Sequence, residues 1–163
     1  MELFWLLGAI IFLFAYKAEP GLFRFDYKFY FRFVKTLLIG SAIAIVVNSI
    51  LGRFPPLPQL GFGSLFLVGW EDLFFSVALI YFPHKYFVPK IAIPLAISAS
   101  LLFGLGHTYQ GSLWAIITCF YPYFFSYKIG KSRGYSTVMA MHVTYDIIIR
   151  SIVFALYFLG GKL

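Results

Sequence analysis

Six long apolar stretches dominate this chain of 163 residues. A helix of about 20 residues crosses the ~30 Å hydrocarbon core of a membrane, and each stretch is near that length. The stretches cover roughly residues 2–16, 36–52, 63–83, 89–108, 112–129 and 135–159. The chain is 61% hydrophobic and 12% charged, whereas soluble domains average about 45–50% and about 25%. We therefore predict an all-α, polytopic transmembrane helical bundle of about six membrane helices, forming a single integral membrane domain over residues 1–163 in contact with membrane lipid.

Residues 17–35 separate the first two apolar stretches and mix basic with aromatic side chains. Arg24, Lys28 and Arg32 recur at four-residue spacing, which places them on one face of a helix. A basic face beside aromatic side chains is typical of a helix that lies in the membrane interface. The pattern predicts a possible interfacial amphipathic helix, and an ordered juxtamembrane loop is the alternative.

The basic residues between the apolar stretches predict the orientation of the chain. The segments 17–35, 84–90 and 128–134 carry five, two and three Lys or Arg, whereas the other side has only Arg53 and Lys162. Cytoplasmic loops of membrane proteins are enriched in Lys and Arg, so both termini should be non-cytoplasmic. Topology explains the net charge of +7, and we expect no nucleic-acid partner. The sequence carries no signal for an oligomeric state.

Small residues recur every four positions on two of the predicted helices. Close contact between helices in lipid favours such stripes, because small side chains let the backbones approach. One stripe consists of Ala96, Ser100, Gly104 and Thr108, and the other of Gly40, Ala44 and Asn48. We predict a helix contact at each stripe.

Three acidic residues and two histidines lie deep within the apolar stretches. An acidic side chain at membrane depth costs at least ~2.5–3.5 kcal/mol on insertion scales, so these residues should have partners or a function. They are Glu71, Asp72, His107, His142 and Asp146. We predict that they form one buried polar constellation. The alternative is a polar cluster that only holds helices together.

Three motifs follow one another on separate predicted helices: Glu71-Asp72, Phe103-x-x-x-His107 and His142-x-x-x-Asp146. Their types and order resemble the three motifs of the CAAX protease and bacteriocin-processing family, the Abi or Rce1-like intramembrane proteases. The resemblance covers about residues 63–150. The chain departs from the family in its first motif, where Asp72 replaces a second Glu and Ser76 stands in the position of an Arg.

The resemblance implies hydrolysis of a peptide bond in the membrane by a water that Glu71 activates. His107 would position this water and protonate the leaving amine, and His142 would donate to the oxyanion, with Asp146 as the fourth catalytic position. Glu71 and His107 should then lie within hydrogen-bond reach, directly or through one water, in a cavity between helices three, four and six. The substrate would be a membrane-associated peptide or protein, either a prenylated CAAX peptide or a leader peptide. The resemblance implies no cofactor and no metal.

Asp72 and Arg150 are interpreted as supporting residues. Arg150 follows Asp146 by one helical turn, so it either pairs with Asp146 or supplies the positive charge that Ser76 lacks. Asp146 would have to be protonated, paired with Arg150, or used to orient His142, because a bare carboxylate repels an oxyanion.

Other functions stay open on the residues alone. Glu71, His107 and His142 would be a chemically plausible three-ligand metal site, although the chain has no His-Glu-x-x-His motif. Buried acids and histidines also form proton or ion relays. The main alternative is a non-catalytic membrane protein of the immunity or chaperone kind, which binds peptides or other membrane proteins.

Overall fold

The computed structural model describes residues 2–52, 68–108 and 112–160, apart from the side chains of residues 2–5 and 114. These residues form helices joined by short turns, and they include no strand, which confirms the all-α prediction. The helices are α1 (Glu2–Ala18), α2 (Tyr27–Ile50), α3 (residues 68–86), α4 (Pro89–Gly106), α5 (residues 112–133) and α6 (Tyr135–Leu159).

Helices α3 and α5 each contain a π-helical segment, and the two segments pack against each other. In α3 the segment is Asp72–Tyr81, and in α5 it is Tyr121–Tyr127. The Phe82 N–H donates to the Val77 carbonyl five residues earlier, as a π-helical hydrogen bond requires. π-Helical turns are rare and occur often at functional sites, and here each segment begins at a polar residue that faces the other helix.

Three segments are long and apolar enough to cross a membrane, judged by length and composition in the described part of the chain. They are Pro20–Ile50, Pro89–Gly106 and Tyr135–Leu159. Helix α1 contributes a shorter apolar stretch, Leu6–Ala18. The structure therefore agrees with a helical membrane protein, and the number of about six crossings stays a prediction.

The interfacial helix proposed for residues 17–35 is not a separate element. The turn Pro20–Phe23 is followed by α2, which runs unbroken for 24 residues from Tyr27. Asp26 caps this helix, since its carboxylate accepts from the Phe29 N–H at 3.0 Å. No glycine or proline interrupts residues 27–39, so the capped helix continues into the second apolar stretch.

The three basic segments meet at one end of the molecule. Arg24 donates to the carbonyls of Lys131 and Ser132, and Arg133 pairs with Asp26 at 3.2 Å. Lys85 pairs with Glu19 at 2.6 Å at the same end. The predicted topology requires that the three segments rich in Lys and Arg share one end of the molecule. The side of the membrane on which this end lies stays a prediction.

Helix α6 begins in the interior rather than at the surface. Its early residues Tyr135, Thr137 and Val138 are fully buried. The segment between α1 and α2 covers them: Thr137 Oγ1 accepts from the Asp26 N–H at 2.7 Å, and Ser136 donates to the Phe23 carbonyl. Gly134 makes this contact possible, because its φ is +97° and a Cβ would collide with the Arg24 backbone.

The two small-residue stripes have different environments. At Gly104 of α4, a Cβ would collide with Cys119 Sγ and the Ala115 carbonyl of α5, which confirms the predicted helix contact. At Gly40 of α2, a Cβ would meet no atom within 4 Å among the described residues. Helix α2 packs against α6, but the described structure shows no close contact at Gly40 itself, so the predicted contact is not found at that position.

Candidate active site

Asp72 is the buried centre of the polar constellation. The residue is only 1% exposed, and both of its carboxylate oxygens have partners. Tyr121 of α5 donates its hydroxyl to Oδ1 at 3.0 Å, and Nδ1 of His142 on α6 lies 3.1 Å from Oδ2. Because a carboxylate only accepts, the His142 proton in this bond is on Nδ1. Asp72 thus joins α3, α5 and α6, and Nε2 is the nitrogen of His142 left for proton exchange.

Glu71 precedes Asp72 and is partly buried. Adjacent helical side chains point about 100° apart, so the two acids have different surroundings. His142, Asp72 and Asp146 are all close enough to interact electrostatically with the Glu71 carboxylate, so Glu71 belongs to the same cluster. The predicted hydrogen bond between Glu71 and His107 stays a prediction.

His107 caps the C-terminus of α4, and its Nδ1 lies 2.8 Å from the Phe103 carbonyl. A carbonyl also only accepts, so Nδ1 carries the proton here as well. The His107 ring packs on Phe103 at a centroid distance of 4.4 Å, and Phe103 stacks on Tyr121 at 5.4 Å. Tyr121 in turn contacts the His142 ring at 4.6 Å. An aromatic chain therefore connects the two histidines.

Asp146 pairs with Arg150 one turn further along α6, at 3.6 Å. Both side chains are mostly buried, with 25% and 20% of their surfaces exposed. This is the pairing expected from their four-residue spacing. Asp72, and not Asp146, is the carboxylate that contacts His142.

Ser76 occupies the position where the resembling family has an Arg. It is fully buried and donates its hydroxyl to the Pro122 carbonyl of α5 at 3.2 Å. In this chain the position therefore supplies a neutral hydrogen bond between the two π-helical segments.

A cavity of about 370 Å³ between α4 and α5 is almost entirely apolar, whereas a larger one of about 730 Å³ adjoins the polar cluster. The larger cavity is lined by side chains of α2, α4, α5 and α6. The predicted cavity between helices three, four and six is therefore wrong in its third-helix wall, because Glu71 and the other described residues of α3 do not line this cavity. His107, Tyr121, His142 and Asp146 are among them. Sites for small molecules and peptides commonly have this character, with apolar walls and a few convergent polar groups.

Among the residues that the structure describes, no group of three or more His, Cys, Asp or Glu side chains could hold a metal ion. The polar atoms of the cluster are instead engaged with one another, as the bonds from Asp72 to Tyr121 and His142 show.

Tyr121 is the residue of this cluster that sequence reasoning missed. The chain has 12 Tyr and 21 Phe, and nothing in the neighbourhood of Tyr121 distinguishes it from the other aromatic residues. Its proximity to Asp72 arises from the packing of the two π-helical segments, which sequence spacing does not reveal.

The fold and the cluster define a class: helical membrane proteins in which acids and histidines from several apolar helices converge beside a largely apolar cavity. Residues 53–148, more than half of the chain, match the family described as type II CAAX prenyl endopeptidase Rce1-like. The chain therefore belongs to the Rce1-like family of CAAX proteases, and this membership indicates a membrane protease. The searches of curated proteins and of solved structures found no match to this chain.

Proposed function

We propose that the chain is an intramembrane endopeptidase that cleaves a membrane-associated peptide with a water activated by Glu71. The observation that carries the proposal is the Tyr121–Asp72–His142 hydrogen-bonded chain beside a cavity that His107 and Asp146 also line. Prenylated CAAX peptides and leader peptides are the two substrate classes to test.

Glu71 acts as the general base. Its carboxylate takes a proton from water while the water oxygen forms a bond to the carbonyl carbon of the peptide. His107 accepts a hydrogen bond from this water at Nε2, because Nδ1 donates to the Phe103 carbonyl. When the C–N bond breaks, the proton removed by Glu71 passes through His107 to the amine nitrogen. The products are an amine and a carboxylic acid, which releases its remaining proton to become a carboxylate, so one water is consumed.

His142 stabilises the oxyanion of the tetrahedral intermediate. Donation from Nε2 requires that both ring nitrogens carry protons, since Nδ1–H already donates to Asp72. The buried Asp72 carboxylate stabilises this positively charged ring by its opposite charge. Tyr121 holds the other oxygen of Asp72 and so fixes the plane of the carboxylate.

The positive charge of Arg150 reduces the repulsion between Asp146 and a nearby oxyanion. An unpaired carboxylate in a low-dielectric site repels developing negative charge, whereas an ion pair with Arg150 offsets that repulsion. Asp146 and Arg150 thus act as a unit, with Asp146 lining the cavity.

The test compares purified wild type with Glu71→Gln in nanodiscs, using farnesylated CAAX, unfarnesylated CAAX and leader peptides. We expect wild type to cleave at least one of them, and Glu71→Gln to bind that peptide without cleaving it. Glu19→Gln is the matched control, because it is the same change at a residue paired with Lys85 at the basic end. Cleavage by wild type should survive chelators.

The opposite outcomes identify the alternatives. Cleavage that chelators abolish would replace the proposal by a metalloprotease. Failure of wild type to cleave any peptide, with peptide binding indifferent to Glu71→Gln, would replace it by the non-catalytic membrane partner.

A further inference from the structure

One wall of the large cavity comes from α2. Six residues of this helix line the cavity, and they recur every three or four positions as single residues or adjacent pairs, so they form a single helical face. This α2 wall consists of Phe33, Thr36, Leu37, Gly40, Ser41 and Ala44. Helix α2 ends at Ile50, before the family match begins at residue 53. The wall therefore lies in a part of the chain that the family description does not cover.

The middle of the α2 wall combines an open position, Gly40, with a buried one, Ser41. A Cβ at Gly40 would meet no atom within 4 Å in the described structure. Ser41 is 8% exposed, and its hydroxyl has no hydrogen-bond partner among the described residues. By contrast, the polar side chains Thr36 and Asn48 of the same helix bond to carbonyls one turn earlier. Ser41 is therefore a buried polar group that a ligand would satisfy, and leaving it without one costs free energy.

The other residues that line this cavity indicate which ligand binds in it. They include the candidate catalytic residues His107 and His142, together with Tyr121. A peptide bond that is to be hydrolysed lies in an extended segment, whose N–H and C=O groups have lost their helical partners. Inside an apolar cavity such groups need partners from the protein. A serine hydroxyl both donates and accepts, so it serves either backbone group. A glycine beside it lets a second backbone approach closely.

We propose that Gly40 and Ser41 form a substrate subsite, in which the extended peptide lies against α2 and hydrogen-bonds to the Ser41 hydroxyl. The subsite rests on the proposed protease function, and it assigns peptide recognition to a helix outside the family match. It concerns binding of the peptide and leaves the chemical step to the cluster around Asp72.

The test measures KM and kcat for Ser41→Ala and Gly40→Leu on the peptide that wild type cleaves. We expect Ser41→Ala to raise KM about fivefold with kcat nearly unchanged, since one hydrogen bond to bound peptide is lost. Gly40→Leu should raise KM more than tenfold by filling the open space. Ser41→Thr, which keeps the hydroxyl, should retain the wild-type KM.

Matched controls lie on the same helix outside the cavity: Ser49→Ala and Ala42→Leu, both at exposed positions. Their KM should equal that of wild type. Thermal unfolding separates binding from a structural role, because removing an unpaired buried hydroxyl should leave the Tm of Ser41→Ala unchanged or raise it. A lowered Tm with an unchanged KM would overturn the proposal.

The subsite and the protease function fail in distinguishable ways. If wild type cleaves peptide and neither Ser41→Ala nor Gly40→Leu alters KM, the subsite is refuted and the protease function stands. If wild type cleaves no peptide, the protease function is refuted. The affinity of the α2 wall for peptide is then measured directly, by fluorescence anisotropy of a labelled farnesylated CAAX peptide. Equal peptide affinity of wild type, Ser41→Ala and Gly40→Leu would then overturn the subsite.

Discussion

Nδ1 of His142 lies 3.1 Å from Oδ2 of Asp72, a carboxylate that is 1% exposed. The bond links the start of the π-helical segment in α3 to the second turn of α6. It fixes the tautomer of His142 and gives its ring a negative neighbour. We therefore propose that the second acid of the first motif has the task of orienting the histidine of the third motif.

Asp72→Asn should lower kcat about 100-fold, because the amide neither carries the charge that stabilises protonated His142 nor fixes its tautomer. The measurement is peptide cleavage together with ¹⁵N NMR of the histidine ring. Asp26→Asn is the control: Asn caps helices as well as Asp does, and this residue lies at the basic end. Wild-type cleavage by Asp72→Asn would contradict the assigned task.

Tyr121→Phe should lower kcat about tenfold at an unchanged KM, because Asp72 loses the donor at Oδ1 while the aromatic stack is kept. Tyr123→Phe is a matched change in the same π-helical segment, where the ring packs on His84 and Tyr127. Its kcat should equal that of wild type. Equal losses in both variants would mean a general effect on packing.

Ser76→Ala should destabilise the protein by about 1 kcal/mol, because the buried bond to the Pro122 carbonyl is lost. Ser76→Arg, which introduces the residue usual in the family, should destabilise it far more, since the site is fully buried and has no room for a charged side chain. Thermal unfolding in detergent measures both. A Ser76→Arg variant as stable as wild type would show that α3 and α5 separate easily.

The ion pair between Glu19 and Lys85 should give stability a pH dependence. The hydrogen bond from Lys85, assisted by one from Tyr81, lowers the pKa of Glu19 below its ordinary 4.5, and Glu19 raises the pKa of Lys85 above its ordinary 10.5. The lowered pKa contributes stability that is present above pH 4.5 and lost as pH falls through the folded value. The raised pKa contributes stability that is present below pH 10.5 and lost as pH rises through the folded value.

The comparison of Tm against pH for wild type and Glu19→Gln tests this pair. The difference in Tm between wild type and Glu19→Gln should be greatest between pH 4.5 and pH 10.5. It should vanish at pH values below the folded pKa of Glu19 and above the folded pKa of Lys85. It should be small, because about a third of each side chain is exposed. A difference that is independent of pH would rule out the ion pair as its source.

Cysteines placed at Lys28 and Lys131 in a Cys119→Ser background should react with impermeant reagents from the cytoplasmic side only. Both positions are exposed and belong to basic segments that meet at one end. The expectation follows from the bias of Lys and Arg toward the cytoplasm. Labelling of both from the outer side would reverse the predicted topology.

The sequence by itself determined that the chain is helical and suited to a membrane, because its apolar stretches have the length of a membrane helix. It also singled out the residues whose burial needs a reason, since Glu71, Asp72 and the histidines are costly at membrane depth. Their order along the chain carried the resemblance that the family match over residues 53–148 confirms.

Only the tertiary structure decided which of these residues meet. Asp72 rather than Asp146 contacts His142, Tyr121 completes the cluster, and Gly40 opens onto a cavity while Gly104 packs against α5. The physical reason is that an apolar membrane helix is hydrophobic on all sides, so periodicity does not mark the face that packs inward. Each π-helical segment also rotates the later residues of its own helix about the helix axis. The size of this rotation depends on the packing of α3 against α5.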